Sequence, residues 1–261
     1  MSYDNRMNIA ILAAEAAPFV KAGGLGDVVG SLPKALGDRE VNVKTFIPKY
    51  KFIDTTAWGF ERIITDMAVT LPRGTKIRID VWRGFFPHSL APVYLLDMPR
   101  YFVGKSVYDH NRPGRDRSVP FLAFTKAVFE VMKALDWSPS VIHCHDWHVA
   151  MGCKWLHTIY KDDPFFKGTA SVLTIHNLMF QGDIGWHMTK FLGLSRNDFF
   201  VERQHSKFKG IKLLVTGIES ADMINTVSPT YAREILTAQY GVGIHRLMKN
   251  KKRRLTGILN G

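Results

Sequence analysis

The stretch from Lys21 to Asp27 combines a lysine, three glycines and a carboxylate within seven residues. Glycines let a backbone approach a ligand closely, and an apolar pattern of helical spacing follows at positions 28–36. A helix that begins here would direct unpaired N–H groups at a bound anion, and Lys21 would add a full positive charge. This combination suits a phosphate or a diphosphate. The spacing matches neither G-x-G-x-x-G nor G-x-x-x-x-G-K-S/T, so a simple glycine turn beside an exposed lysine stays the alternative.

Histidines and a carboxylate form a second cluster, HCHDWH, at positions 143–148. Imidazole and carboxylate ligands suit zinc or iron. Asp146 directly follows His145, however, whereas metal hydrolases of the H-x-H-x-D-H type place the aspartate one position later. Capping of a helix that begins at Trp147, or hydrogen bonding to a sugar, are the other interpretations of Asp146. We therefore expect no metal at this cluster.

A third polar pair, His176 and Asn177, follows the apolar segment 171–175. Both side chains can hydrogen-bond to hydroxyl groups, and a neutral His176 could donate to a developing charge. A buried histidine whose hydrogen bonds are satisfied inside the core is the alternative for His176.

Strand-length apolar segments alternate with segments of helical periodicity along the chain. The predicted strands cover residues 7–14, 42–48, 141–144, 171–175 and 223–226, with three further alternating segments between 60 and 97. The predicted helices cover residues 28–36, 121–135, 147–160, 211–219 and 229–238, the last capped by Ser228. This alternation predicts an α/β fold with a Rossmann-like, doubly wound, mostly parallel sheet and a small antiparallel section, in a single domain of residues 1–261. All three polar clusters follow predicted strands, and such sheets bind ligands beyond the carboxyl ends of their strands.

The composition narrows the classes of partner. Lysine and arginine number 35 against 23 acidic residues, a formal net charge of +12, which favours anionic ligands. No zinc-finger spacing, helix-turn-helix signature or aromatic RNA-binding strand is present, so we expect no nucleic acid. No apolar run approaches the roughly 20 residues that span a bilayer, and Cys144 and Cys153 fit no disulfide framework. A soluble, cytoplasmic protein without a membrane segment is the expectation.

Five motifs, read together and in order, resemble the bacterial glycogen synthases and the plant-type starch synthases. They are EAAPFVKAGGLGDV at 15–28, HCHDWH at 143–148, TIHNLMFQG at 174–182, TVSPTYAREI at 226–235 and GILNG at 257–261. The chain departs from the family in two places. It reads VPFLAF at 119–124 where an Arg-Phe-x-x-Phe run is usual, and LVTGI at 214–218 where Leu-Lys-Gly-Gly-Ile is usual.

The resemblance implies a retaining glucosyltransferase that transfers glucose from ADP-glucose to the non-reducing end of an α-1,4-glucan. The family's GT-B fold pairs two Rossmann-like domains across a cleft, without a cofactor or an essential metal. This chain would be the N-terminal, acceptor-side half, with the C-terminal nucleotide-binding domain absent and no turnover expected from the half alone. The choice between ADP-glucose and UDP-glucose stays open, as does a non-catalytic module that binds glucan or a nucleotide sugar. The compartment would be the cytoplasm, or the plastid stroma for a plant protein.

The resemblance also implies roles for individual residues. The residues similar to the family's donor-binding loop are Lys21, Gly23 and Gly24. The residues similar to its catalytic pair are His176 and Asp146. The residues similar to those lining the sugar and acceptor side are Glu15, Asp27 and Asn177.

Overall fold

A computed structural model describes residues 6–108, 116–199 and 210–260. The strands are β1 (Asn8–Leu12), β2 (Asn42–Pro48), β3 (Glu61–Thr70), β4 (Lys76–Phe85), β5 (Pro92–Asp97), β6 (Val141–His145), β7 (Ala170–Ile175), β8 (Asp183–Ile184), β9 (Ile211–Lys212), β10 (Met223–Thr226) and β11 (Leu255–Gly257). The α-helices are α1 (Gly24–Gly37), α2 (Val119–Ala134), α3 (Met151–Leu156), α4 (Thr189–Leu192), α5 (Leu213–Ser220), α6 (Pro229–Glu234) and α7 (His245–Asn250).

Nine of these strands form one mixed sheet in the order β11-β10-β7-β6-β1-β2-β5-β4-β3. The strands from β11 to β5 are parallel, and the β3–β4 hairpin continues the sheet in antiparallel register. This confirms the predicted mostly parallel sheet with a small antiparallel section. One detail differs, because β5 pairs in parallel with β2 and only its other edge is antiparallel, against β4.

The middle of the sheet is covered on both faces. Successive side chains of a strand point to opposite faces, and Ile11 and Leu12 of β1 are both fully buried. Helices α3 and α5 pack against each other on one face, where a side-chain atom at Gly152 would contact Cys144. Helix α1 lies on the other face, the one to which His143 points. Cys144 is thus a buried apolar residue of the core, which agrees with its free thiol.

Several helices are shorter than the sequence predicts. Helix α3 begins at Met151, because residues 147–150 form turns after β6. The predicted helix over 211–219 starts with the two-residue strand β9, which pairs with β8. The predicted cap of α6 is confirmed, since the Ser228 hydroxyl accepts a hydrogen bond from the Tyr231 N–H at 2.9 Å.

Within the described ranges, no helix has the length and apolar character that a bilayer crossing requires.

Candidate functional site

A buried carboxylate holds the glycine loop in place. Glu15, three residues beyond the carboxyl end of β1, is only 1% exposed. Its Oε2 atom accepts hydrogen bonds from the N–H groups of Ala22 at 2.6 Å and Gly23 at 3.0 Å. Its Oε1 atom accepts a hydrogen bond from the Tyr108 hydroxyl. Because both oxygens are engaged, Glu15 fixes the loop from beneath, and helix α1 starts directly after it at Gly24.

The outer surface of the loop is open. A side chain at Gly23 or Gly24 would meet no described atom within 4 Å, so a ligand can lie directly against this backbone. The Lys21 ammonium forms an ion pair with Asp27 at 2.8 Å, and both side chains are about half exposed. The cation that the sequence predicts for a phosphate is therefore balanced by a carboxylate in the first turn of α1.

Asp146 connects the ends of β6 and β7. Its backbone is left-handed, with φ of 60°, and its Oδ1 atom accepts a hydrogen bond from the His176 N–H at 2.7 Å. The pKa of Asp146 is raised to about 7. Burial is the main cause and the nearby charge of Glu15 adds to it, while the N–H groups of His176 and Asn177 act in the opposite direction. The helix-cap interpretation of Asp146 is wrong, because α3 begins only at Met151 and the carboxylate serves the backbone after β7 instead.

Three imidazoles lie in a row on the α1 face of β6 and at the end of β7. The ring centroids of His143 and His145 are 4.3 Å apart, and those of His145 and His176 are 5.2 Å apart. His143 Nε2 lies 2.6 Å from the Thr174 hydroxyl, which in turn donates to Asn225 Oδ1 at 2.6 Å. Burial lowers the pKa of His143 and of His176 to about 4 and that of His145 well below 6.5. All three rings are consequently neutral near pH 7.

The three polar clusters meet at one edge of the sheet. Asp146 binds the backbone of His176, and Glu15 lies near enough to raise the pKa of Asp146. The Tyr108 ring, whose hydroxyl serves Glu15, also stacks on His148 at 5.5 Å between centroids. The carboxyl ends of β1, β6 and β7 therefore carry one connected group of polar side chains.

Two cavities flank this edge. A groove of about 830 Å³ runs along the sheet beside α1, with Gly24 and Asp27 on its wall and His143 and His145 on its floor. A second hollow of about 410 Å³ lies between the turn after β6 and the segment after β7. Its described lining comprises Trp147, Met179, Phe180, Gln181, Gly182, Asp183, Lys212 and Val242. Lys21, Asp146 and His176 are not among the described residues that line these two cavities.

Asn177 has a local role in this geometry. Its Oδ1 atom accepts a hydrogen bond from the Met179 N–H at 2.9 Å, which shapes the turn after β7. The Leu178 N–H donates to the Tyr231 hydroxyl at 3.0 Å, so the same turn is also anchored to α6.

Sequence reasoning missed the residues that support the clusters from a distance. Tyr108 is 93 positions from Glu15, and Asn225 is 51 positions from Thr174, separations at which no local spacing is informative. Tyr108 follows no predicted strand, and Asn225 lies inside an apolar one. Among the residues in the three described ranges, no group of three His, Cys, Asp or Glu side chains is arranged to hold a metal ion.

A doubly wound sheet with a glycine loop and polar clusters at its carboxyl edge defines a Rossmann-like ligand-binding domain. Residues 8–250 match the family model described as the starch synthase catalytic domain. The chain belongs to this glycosyltransferase family.

Two related glycogen synthases and one solved structure agree with this assignment. The chain is 37% identical over 267 residues to glycogen synthase 1 of Geobacter sulfurreducens and 38% identical over 259 residues to the glycogen synthase of Thermosipho africanus. These alignments cover 98% of this chain but only 51% and 52% of the relatives, so the chain spans about half of their length. Among solved structures, the catalytic domain of starch synthase IV from Arabidopsis thaliana, bound to ADP and acarbose, superposes with a TM-score of 0.85. It is 28% identical, and the match covers 98% of this chain and 52% of that one, which supports a GT-B half.

Proposed function

We propose that residues 1–261 form the N-terminal, acceptor-side domain of a retaining glucosyltransferase. It would transfer glucose from ADP-glucose to the non-reducing end of an α-1,4-glucan, in glycogen or starch synthesis. One observation carries the proposal. The loop held by Glu15 and the Asp146–His176 pair lie together at the carboxyl edge of the sheet, and the loop's open backbone leads into helix α1.

This arrangement meets the needs of glycosyl transfer. The glycosyl carbon gains positive charge while the diphosphate leaves, so catalysis requires cations at the phosphates and oriented dipoles at the sugar. We assign the diphosphate to Lys21, to the Gly24 N–H at the start of α1, and to the open backbone surface at Gly23, whose own N–H donates to Glu15. We assign the sugar to His176, whose backbone Asp146 fixes, and the acceptor side to Asp27 and Asn177. The proposed role of Glu15 is to shape the loop from below, since its oxygens are already occupied.

The other partners follow from the length of the relatives and from what the related structure contains. The starch synthase IV structure holds ADP and acarbose, which supports a nucleotide sugar and a glucan as ligands here. A second Rossmann-like domain would complete the cleft and select between ADP-glucose and UDP-glucose. We propose no cofactor, and the cytoplasm as the compartment, or the plastid stroma if the source is a plant.

One observation favours a second candidate, a module that binds glucan or a nucleotide sugar without transfer. Lys21 is already paired with Asp27, and an anion must compete for that cation. A binder of neutral glucan has no need of Lys21.

Radiolabelled glucose transfer to glycogen tests the proposal. ADP-glucose and UDP-glucose are compared as donors, with the 261-residue chain and with any longer product of the same gene. Lys21→Ala is the test variant and Lys161→Ala, at an exposed lysine in the segment after α3, the matched control. Loss of one cationic contact to the leaving group should lower transfer by about 10²-fold, with the control unaffected. Equal transfer by Lys21→Ala contradicts its role, and glucan binding without transfer by any form supports the binding module.

A further inference from the structure

His145 contacts the imidazole of His176 directly. It is the last residue of β6 and pairs with Thr174 of β7, so His176, two positions further along, lies diagonally opposite on the same face. His145 Nδ1 and His176 Nε2 are 2.9 Å apart, a hydrogen bond between two rings. His145 is fully buried, whereas His176 is partly exposed at the rim.

One proton lies between these two nitrogens. Burial lowers the pKa of both rings, so each is neutral and carries a single N–H. Either His145 donates from Nδ1 and His176 keeps its own proton on Nδ1, or His176 donates from Nε2 and His145 keeps its proton on Nε2. The two arrangements make the exposed side of His176 a donor in the first case and an acceptor in the second.

The far nitrogen of His145 distinguishes the arrangements. His145 Nε2 is buried and has no hydrogen-bond partner among the described residues. In the second arrangement this atom would be an orphaned N–H, and buried donors without a partner are rarer than buried acceptors without one. In the first arrangement it is only an unused lone pair. The first arrangement is therefore the more stable.

The neighbouring histidine is fixed by the same kind of contact. The Thr174 hydroxyl donates its proton to Asn225, so its oxygen can only accept from His143, whose proton must then be on Nε2. Side chains of β7 and β10 thus orient His143, and the hydrogen bond from β6 orients His176. The protonated nitrogens along this face are set by contacts between strands.

We propose that His145 is a positioning residue that holds His176 in its Nδ1–H tautomer. His176 then presents an N–H donor to the reacting sugar and not a base. The part of this inference that concerns the sugar rests on the proposed function. The tautomer itself does not, because it is a property of the described fold.

The tautomer can be measured by ¹H–¹⁵N correlation spectra of the 261-residue chain labelled at its histidines. Neutral Nδ1–H and Nε2–H rings differ in their ¹⁵N shifts, and His176→Asn identifies the signals of His176. We expect wild-type His176 to be protonated on Nδ1. His145→Phe keeps the ring but removes the donor, and it should shift His176 toward Nε2–H. In His145→Asn the side-chain amide can replace Nδ1–H as the donor, so this variant should retain the wild-type signal.

Two outcomes would overturn the proposal, namely an Nε2–H ring at His176 in the wild-type chain, or an unchanged His176 tautomer in His145→Phe. Thermal unfolding of each variant shows whether it is folded. If His145→Phe does not fold, the wild-type spectrum alone still tests the predicted tautomer of His176. In a form of the protein active in glucose transfer, His145→Phe should lower kcat about 10-fold with little change in the glucan KM, and His145→Asn should restore most of it. If the predicted tautomer is found but no form of the protein transfers glucose, including any longer product of the same gene, the proposed function is contradicted and this inference stands.

Discussion

Asp146 combines an unusual backbone with an unusual charge state. A non-glycine residue with φ of 60° stores strain, and here the two N–H groups after β7 compensate for it by binding the carboxyl group. Because burial raises its pKa to about 7, the side chain is part protonated at neutral pH. Such a group can respond to small electrostatic changes, among them the arrival of an anionic ligand at the rim.

These shifted pKa values predict how stability depends on pH. The pKa of His143 and of His176 is depressed from 6.5 to about 4, so the stability they contribute is present above pH 6.5 and is lost as the pH falls toward 4. The pKa of Asp146 is raised from 3.8 to about 7, so its contribution runs the other way and is lost as the pH rises. Because two histidines lose stability over this range and only one carboxyl group gains it, urea unfolding should show a net loss of stability from pH 6.5 to 4.

Asp146→Asn isolates the carboxyl group. The amide oxygen can still accept the His176 N–H but does not titrate, so the opposing term disappears. Between pH 4 and 6.5 the slope of the unfolding free energy should become steeper by up to about 1.4 kcal/mol per pH unit. Identical slopes in the variant and the wild-type chain would show that Asp146 keeps an ordinary pKa. Asp66→Asn, on the exposed β3–β4 hairpin, is the matched control.

The hydrogen bonds from the loop to Glu15 predict how mutations of Glu15 and Tyr108 affect stability and amide exchange. Glu15→Ala leaves the N–H groups of Ala22 and Gly23 without their acceptor, which should cost about 1–3 kcal/mol in urea unfolding. Tyr108→Phe removes only one donor to the same carboxylate and should cost about 1 kcal/mol. Amide exchange at Gly23 should accelerate in Glu15→Ala far more than in Tyr108→Phe. If the Gly23 amide is equally protected from exchange in the wild-type chain, Glu15→Ala and Tyr108→Phe, Glu15 does not hold the loop.

At the scale of elements, helix α1 approaches the chain after β1 through a glycine. A Cβ atom at Gly30 would lie 2.4 Å from the Ala17 carbonyl oxygen, a backbone atom that cannot move aside. Gly30→Ala should therefore destabilise the protein by about 1–3 kcal/mol and displace the start of α1. Gly37, at the end of the same helix, has no described atom within 4 Å of such a position. Gly37→Ala should stabilise the protein by about 0.5–1 kcal/mol, and thermal unfolding of both variants checks the pair.

The elements also show what the sequence could and could not predict. Every predicted strand is present, β2 with its predicted bounds. The parallel strands could be predicted because buried parallel strands are continuous apolar runs between turns. The antiparallel strands β3 and β4 could be predicted from their alternating residues. The helices after β6 and β10 were predicted too long. Apolar residues beyond their ends pack in turns, and periodicity alone does not separate a turn from a helix.

The location of the candidate site could be predicted in part, because the strands themselves could be predicted. Its three clusters follow strands directly, so their common edge could be inferred. The partners that orient them could not be inferred, because Tyr108 and Asn225 come from distant segments that only the folded topology brings near.

For the whole molecule, the net charge of +12 should separate the two proposed ligands. ADP-glucose carries negative charge, so its affinity should fall several-fold between about 0.05 M and about 0.5 M salt as the attraction is screened. An uncharged malto-oligosaccharide should bind equally well at both concentrations. Calorimetric titration of each ligand measures this, with glucose-free ADP as a control for the phosphates. If the affinity for ADP-glucose does not change with salt concentration, the surplus of cations lies away from the nucleotide-sugar site.

The parallel pairing of β6 with β7 has a consequence for how this protein can evolve. His145 faces Thr174 across the strands, and this alignment sets the distance between the two rings at the rim. A slip by one residue would turn every side chain of a strand to the opposite face. We therefore expect insertions and deletions to be tolerated in the turns on either side of these strands and not within them, because the strand lengths keep His145 and His176 in register.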